Sequence, residues 1–229
     1  RALGVSLVEL VLTLTLVASF VPGAAFQFDE RYPWIPALGI SYHLGVDGLS
    51  LFLVVLMAFL TTLAIVASWR SVTVNVKAFL FFTLLLETSV VGVFLALDLV
   101  LYYIFWEFML IPMYFMIGSW GGPRRVYAAV KFFIYTIAGS LLMLIAIIAI
   151  RFVERGQSFD LLDIMKAGIR PEDQGWLFLA FALAFAVKVP LFPLHTWLPD
   201  AYVEAPVPAT VLLACAMSKV GAYSFLRFC

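Results

Sequence analysis

The sequence predicts an all-α polytopic membrane protein of about seven transmembrane helices, one of them broken. Three observations carry this. The 229-residue chain is 65% hydrophobic and 12% charged, with a mean hydropathy of +1.09, where soluble domains are about 45–50% apolar and about 25% charged. The apolar residues fall into runs of about 20, the length that crosses a bilayer core, punctuated by Pro, Gly and charge. One run carries a lysine, Lys188, deep inside it, followed at once by Pro190 and Pro193.

The first span is expected over residues 3–21, closed by Pro22-Gly23. A polar loop with Asp29, Glu30, Arg31, Pro33 and Pro36 follows, and it contains His43. The second span covers 49–69, with Arg70 and Lys77 bracketing the next short loop. The third, 78–97, carries Glu87; Asp98 then marks a tight turn. The fourth, 99–120, carries Glu107 and ends at the breaker Gly121-Gly122-Pro123. The fifth covers 127–152. A charged segment runs from Glu154 to Gln174, in which Phe159, Leu161, Leu162, Ile164 and Met165 suit a short interfacial helix. The sixth is the broken span, 176–197, with an unwound centre. The seventh, 206–228, carries Lys219.

Lys and Arg in short loops set orientation. Arg1, Arg70, Lys77, Arg124 and Arg125 fall on one side, which is therefore the cytoplasm. Arg151, Arg155, Lys166 and Arg170 on the other side are diluted by five acids. Trp69, Trp120, Trp176 and Trp197 fall where an aromatic belt would sit. Phe79, Phe81 and Phe82 read as lipid contacts, and Met109, Met113 and Met116 as packing.

Composition excludes several functions. Net charge is zero, so nothing argues for nucleic acid. Cys215 and Cys229 have no CxxC spacing, which argues against a cysteine-held cluster or zinc within the chain. His43 and His195 are the only histidines, and His43 lies in a loop, so no haem ligand pair is evident. No cofactor-binding or metal site is expected in this chain.

The buried charges carry the functional reading. At the helical rise, Glu107 sits about 12 Å, Lys188 about 18 Å and Lys219 about 20 Å into their spans, all near the midplane. A charge there costs about 2.5–3.5 kcal/mol on insertion scales and is by default functional. Proline removes a backbone donor and breaks the helix at Pro190 and Pro193, and broken backbone at this depth must be buried in protein or line a watery cavity. A Glu–Lys pair keeps its charges when together, and separation makes one partner neutral. That is a means of passing protons, with His195 as a further relay group. Blander roles stand beside these. Glu107–Lys188 also suits a static pair fixing register, Lys219 a snorkelling side chain, and His195 a cap. Glu87 lies near mid-depth and is a lower-ranked site residue. Glu204 and Asp200, just past the break, suit a channel mouth or plain solvation. Asp47 and Asp98, at span ends, suit caps.

The stretches LALDLVLYYIFWEFMLIPMYFMIGSWGG (95–122), KFFIYTIAGSLLMLIAIIAI (131–150) and FAVKVPLFPLHTWLPDAYVEAP (185–206), with GISYHLGVDGLSL (39–51) and SKVGAYSFLRF (218–228), resemble the antiporter-like subunits of bacterial respiratory complex I, the NADH:quinone oxidoreductase. IPMYF after the Trp106-Glu107 pair favours the M, or subunit-4, type. The wider family includes the L and N types, Mrp cation/proton antiporters and membrane-bound hydrogenases.

The resemblance implies two inverted five-helix repeats, each with a broken helix. Residues 1–77 would then be two leading helices, and 78–229 the first repeat, with the second repeat and an earlier helix outside this sequence. By motif match, Glu107 is the family's membrane glutamate and Lys188 its partner in the broken helix. Lys219 is the lysine that passes protons towards the centre, and His195 the broken-helix histidine. NADH, FMN, iron–sulfur clusters and quinone are expected in partner subunits, with the L and N types as neighbours and the bacterial cytoplasmic membrane as location. The implied function is proton translocation as part of NADH:quinone oxidoreductase. An Mrp-type or hydrogenase-type antiporter subunit is the alternative, and a purely structural membrane subunit the bland one.

Overall fold

The structure, a computed structural model, describes residues 1–23, 26–153 and 158–229. Glu154 and Arg155, which entered the charged segment and the orientation balance, lie outside the described residues.

The molecule is an all-α bundle with one small hairpin. Among the described residues, six helical stretches are long and apolar enough to cross a membrane. They are α1 (Ala2–Ser19), α2 (Gly48–Ser71), α3 (Val76–Leu95), the kinked α4–α5 (Leu99–Phe108 and Leu110–Trp120), α6 (Arg125–Val153) and the last stretch, Val207–Phe228. The last is α10 (Val207–Leu212), a wide π turn (Leu213–Met217) and α11 (Ser218–Phe228). The other expected span is divided into α8 (Pro171–Lys188) and α9 (Trp197–Glu204), with turns between. The expected interfacial helix is α7 (Leu161–Ala167).

Local chemistry sets the ends. Asp47 opens α2 with a reciprocal capping box, its side chain accepting from Ser50 N while the Ser50 hydroxyl faces the Asp47 N–H. Asp98 caps α4 by accepting from the Val100 and Leu101 N–H groups, and Asp160 caps α7 in the same way through Leu162 and Asp163. Pro171 starts α8 at the position where a missing N–H costs nothing. Pro112 cannot donate to the Phe108 carbonyl four residues back, and the kink between α4 and α5 falls there, one residue beyond Glu107.

The segment before α2, expected as a loop, is an antiparallel hairpin: β1 (Gln27–Ile35) and β2 (Ile40–Val46), with Tyr32 opposite Tyr42 and Arg31 opposite His43. Gly39, in the left-handed region at φ 71°, closes its turn. β1 is exposed along nearly its whole length and forms an edge, so Pro33 is tolerated in it. The hairpin rests on the α3–α4 turn: the Leu97 N–H donates to the His43 carbonyl, and the Leu161 N–H donates to Leu97. His43 is therefore a buried strand residue, 1% exposed, not a loop residue. Its Nδ1 faces Asp160 and its Nε2 lies 3.1 Å from Asp29, while Arg31 reaches Asp163 at 2.6 Å and Asp160 at 3.4 Å. Outside the membrane, this network ties the hairpin to the α7 segment.

Aromatic side chains fill the core. Trp106 packs between Tyr102 and Phe185, and Phe132 packs on Trp197. Two sequence expectations fail here. Phe79 is fully buried, edge-on to Trp120, instead of facing lipid. Trp197 is buried and not a belt residue, because the break turns the chain back into the bundle. Met109, Met113 and Met116 are buried packing residues, as expected.

Candidate functional site

The break forms around Pro190. Without an N–H there, the Ala186 carbonyl has no donor four residues on, and it accepts instead from Leu191 at 2.8 Å. The Val187 carbonyl, freed in turn, accepts from Trp197 Nε1 at 2.9 Å. Trp197 thus staples the start of α9 to the end of α8. Pro193, preceded by a cis peptide bond, lies in the turns between them.

Lys188 is the last residue of α8, in the final turn where helix carbonyls favour a cation. It is 2% exposed, and its Nζ has no hydrogen-bond partner. The ammonium lies 5.1 Å from the Trp106 ring centroid, a distance that suits a cation on an aromatic face. Two glycines bring neighbouring helices onto this turn. A Cβ on Gly139 of α6 would lie 3.0 Å from Val187, and one on Gly221 of α11 would lie 2.6 Å from Val189 and 3.3 Å from the Lys188 Cβ.

Glu107 sits in the last turn of α4, before the Pro112 kink. It is half-buried, and its Oε1 is buried without a hydrogen-bond partner. It is the carboxylate that acts electrostatically on Lys188, yet the two form no ion pair within 4.0 Å among the described residues. Tyr103, one turn back on α4, interacts with Glu107 and with Ser140 of α6. The expected Glu–Lys contact is therefore an open pair, with Trp106 under the lysine.

The other expected residues are placed differently. Lys219, expected at a buried midplane position, is exposed on the bundle's surface. It borders a gap lined by Leu53, Met57, Leu60, Phe94 and Cys215. The π turn immediately precedes the helix that carries it. His195 lies in the turns after the break with a buried, unpartnered Nδ1, its ring beside Phe192. Glu87 is fully buried on α3, beside Glu9 of α1 and Thr61 of α2. Glu204 accepts the Arg124 N–H at 2.9 Å and lies 3.6 Å from the Arg124 guanidinium. Asp200 pairs with Lys131 at 2.7 Å. These two acids clamp α9 to the α5–α6 turn and to the start of α6.

The sequence reading missed Trp106 and Glu9. Trp106 precedes Glu107 in the chain, and its side chain turns towards α8 only once the helices pack. Glu9 had the same signal as Glu87: a carboxylate within an apolar run.

Residues 96–229 match the family model described as NADH:quinone oxidoreductase/Mrp antiporter, TM, and residues 5–93 match that of NADH-ubiquinone oxidoreductase chain 4, amino terminus. The chain is 45% identical to NADH-quinone oxidoreductase subunit M of Rhodobacter capsulatus, over 99% of this chain and 46% of that protein. It is 42% identical to the subunit M of Rickettsia prowazekii, over 97% of this chain and 45% of that one. The chain thus spans about half the length of the curated relatives it matches. Among solved structures, it superposes on a chain of respiratory complex I from Thermus thermophilus with a TM-score of 0.87 at 33% identity, covering 99% of this chain and 47% of the other. It superposes on a chain of the Mrp complex from Dietzia with a TM-score of 0.85 at 26% identity, covering 99% and 25%. A multi-pass helical bundle with a helix broken after a buried lysine, matched over more than half its length by the first of these models, belongs to the NADH:quinone oxidoreductase/Mrp antiporter membrane family.

Proposed function

We propose that the chain is part of a proton-translocating membrane-arm subunit of a bacterial NADH:quinone oxidoreductase. In this reading it lies in the cytoplasmic membrane beside L- and N-type subunits, and NADH, FMN, iron–sulfur clusters and quinone belong to partner subunits. Residues 78–229 form one five-helix antiporter-like unit, preceded by two helices in 1–77. The observation that carries the reading is the open Glu107–Lys188 arrangement at a helix break: a buried lysine head without a hydrogen bond, within electrostatic reach of a half-buried glutamate whose Oε1 is buried and unpartnered. Buried charges left unpaired are costly, so stability gives no reason for the arrangement.

The chemistry follows from the geometry. A lysine facing a carboxylate holds its proton, and the same lysine turned into apolar surroundings releases it. Trp106 gives Lys188 a second resting place, off the carboxylate. Motion of the ammonium between Glu107 and the Trp106 face is then a change of proton affinity. Lys219 and His195 are the groups that would exchange protons with it. Gly221 supports this role for α11, because it lets the helix bearing Lys219 touch the Lys188 Cβ. Glu204 and Asp200 hold α9 in place.

The test is Lys188→Ala and Glu107→Ala in the full-length subunit within its membrane complex. Pumping and coupled NADH:quinone activity are expected to fall with assembly intact. A normal proton-to-electron ratio in both variants would overturn the reading. Full pumping in a charge-swapped Glu107→Lys, Lys188→Glu double variant would point to a static pair. The similarity to the Mrp complex supports a second reading, a cation/proton antiporter subunit. Sodium flux in reconstituted vesicles lacking a quinone reductase would favour it.

A further inference from the structure

A second set of buried polar groups sits between α1, α2 and α3. Glu87 is 0% exposed, and neither of its carboxyl oxygens has a well-formed hydrogen bond. Its side-chain neighbours are Glu9 of α1 and Thr61 of α2, and neither the Glu87 oxygens nor the Thr61 hydroxyl has another hydrogen-bond partner among the described residues.

Thr61 is the independent observation. Other buried hydroxyls in these helices donate to their own helix: Thr13 to Leu10 at 2.8 Å, Thr62 to Ala58 at 3.0 Å, Thr83 to Phe79 at 2.9 Å. Thr61, also 0% exposed, makes no such bond. Its hydroxyl remains available to Glu87.

No cation among the described residues pairs with either carboxyl. Arg1, Arg70 and Lys77 lie at or near the ends of α1, α2 and α3, and Lys219 of α11 borders Leu60, the neighbour of Thr61, without an ion pair to Glu9 or Glu87. The charged groups of α4 and β2 point elsewhere: Glu107 acts on Lys188, and His43 is held by Asp160 and Asp29. Two neighbouring carboxylates at low dielectric disfavour each other's ionisation, so one of them holds a proton. With one protonated, its O–H donates to the other, and the Thr61 hydroxyl donates to a remaining lone pair.

We propose that Glu9 and Glu87 together hold one shared proton at the α1–α3 contact, with the Thr61 hydroxyl as third partner. This proton-binding site is separate from Glu107 and Lys188, and it goes beyond the relay reading: it stands whichever ion the complex moves.

Infrared difference spectroscopy tests it on the full-length subunit in its membrane complex, reading the protonated-carboxyl C=O band in light and heavy water. Glu87→Gln is expected to remove one deuterium-sensitive band. Glu9→Gln should shift that band, because an amide replaces the carboxylate acceptor, and Thr61→Val should shift it without removing it. Lys188→Ala should leave it in place, so failure of the relay reading and failure of this one are distinguishable. A band unchanged in Glu87→Gln, or at its original frequency in Glu9→Gln, overturns the proposal. If either Gln variant fails to assemble, the near-isosteric Thr61→Val decides: an unshifted band overturns it.

Discussion

The ammonium of Lys188 lies 5.1 Å from the ring centroid of Trp106, the residue immediately before Glu107. One turn of α4 thus presents Lys188 with an aromatic face and a carboxylate side by side. The lysine occupies the first without bonding the second.

Trp106→Leu removes that face while keeping an apolar side chain. A desolvated cation–π contact is worth about 2 kcal/mol, so coupled activity should fall by up to about thirty-fold, and Trp106→Phe should restore much of it. Proton uptake by the reconstituted complex, normalised to assembled protein, measures both variants.

Gly221→Ala places a methyl 2.6 Å from Val189. Forcing a methyl into close packing costs about 1–3 kcal/mol, and here it pushes α11 off the Lys188 turn without altering any charge. Thermal unfolding of the purified complex should show the loss of stability. Pumping should fall as well, because the helix carrying Lys219 moves with it.

Glu204 separates a clamp from a relay. Glu204→Gln keeps an acceptor for the Arg124 N–H and should leave proton flux close to normal. Glu204→Ala leaves that N–H without its acceptor and should cost about 1–3 kcal/mol. Parallel flux and unfolding measurements distinguish the two roles; loss of flux in Glu204→Gln with unchanged stability would assign it to the relay.

The hairpin should loosen in acid. Hydrogen bonding to Arg31 holds the Asp163 carboxyl below the usual aspartate range and, reciprocally, raises the Arg31 guanidinium. A depressed carboxyl contributes stability above its unfolded value, about 3.9, and loses it as pH falls through the folded value. The raised Arg31 value matters only at far higher pH. Amide exchange in 27–46 should therefore rise below about pH 4, and Arg31→Gln should weaken that pH dependence.

Much of this was legible in the sequence because a bilayer imposes length. Runs of about 20 apolar residues allow few other folds, and Pro190 marks the break where it occurs. The caps at Asp47 and Asp98 were legible from their position at span ends. The hairpin was not: Pro33 and Pro36 read as loop, and only pairing with β2 shows that β1 is an exposed edge. Depth along a helix was readable, but the direction in which a side chain points was not. Glu107 and Lys188 share a depth yet are not joined. Lys219 faces outward for the same reason, and Trp197 faces inward because the chain doubles back.

The π turn at Leu213–Met217 governs that last kind of information. Successive residues of an α-helix step about 100° around its axis. A turn that accommodates one extra residue therefore resets the clock position of everything after it relative to everything before. Lys219 is the second residue of the helix that follows. Its compass bearing is thus set by a stretch of apolar residues carrying no charge, and tightening that one coil would swing the lysine onto a different neighbour while leaving its height in the membrane almost unaltered.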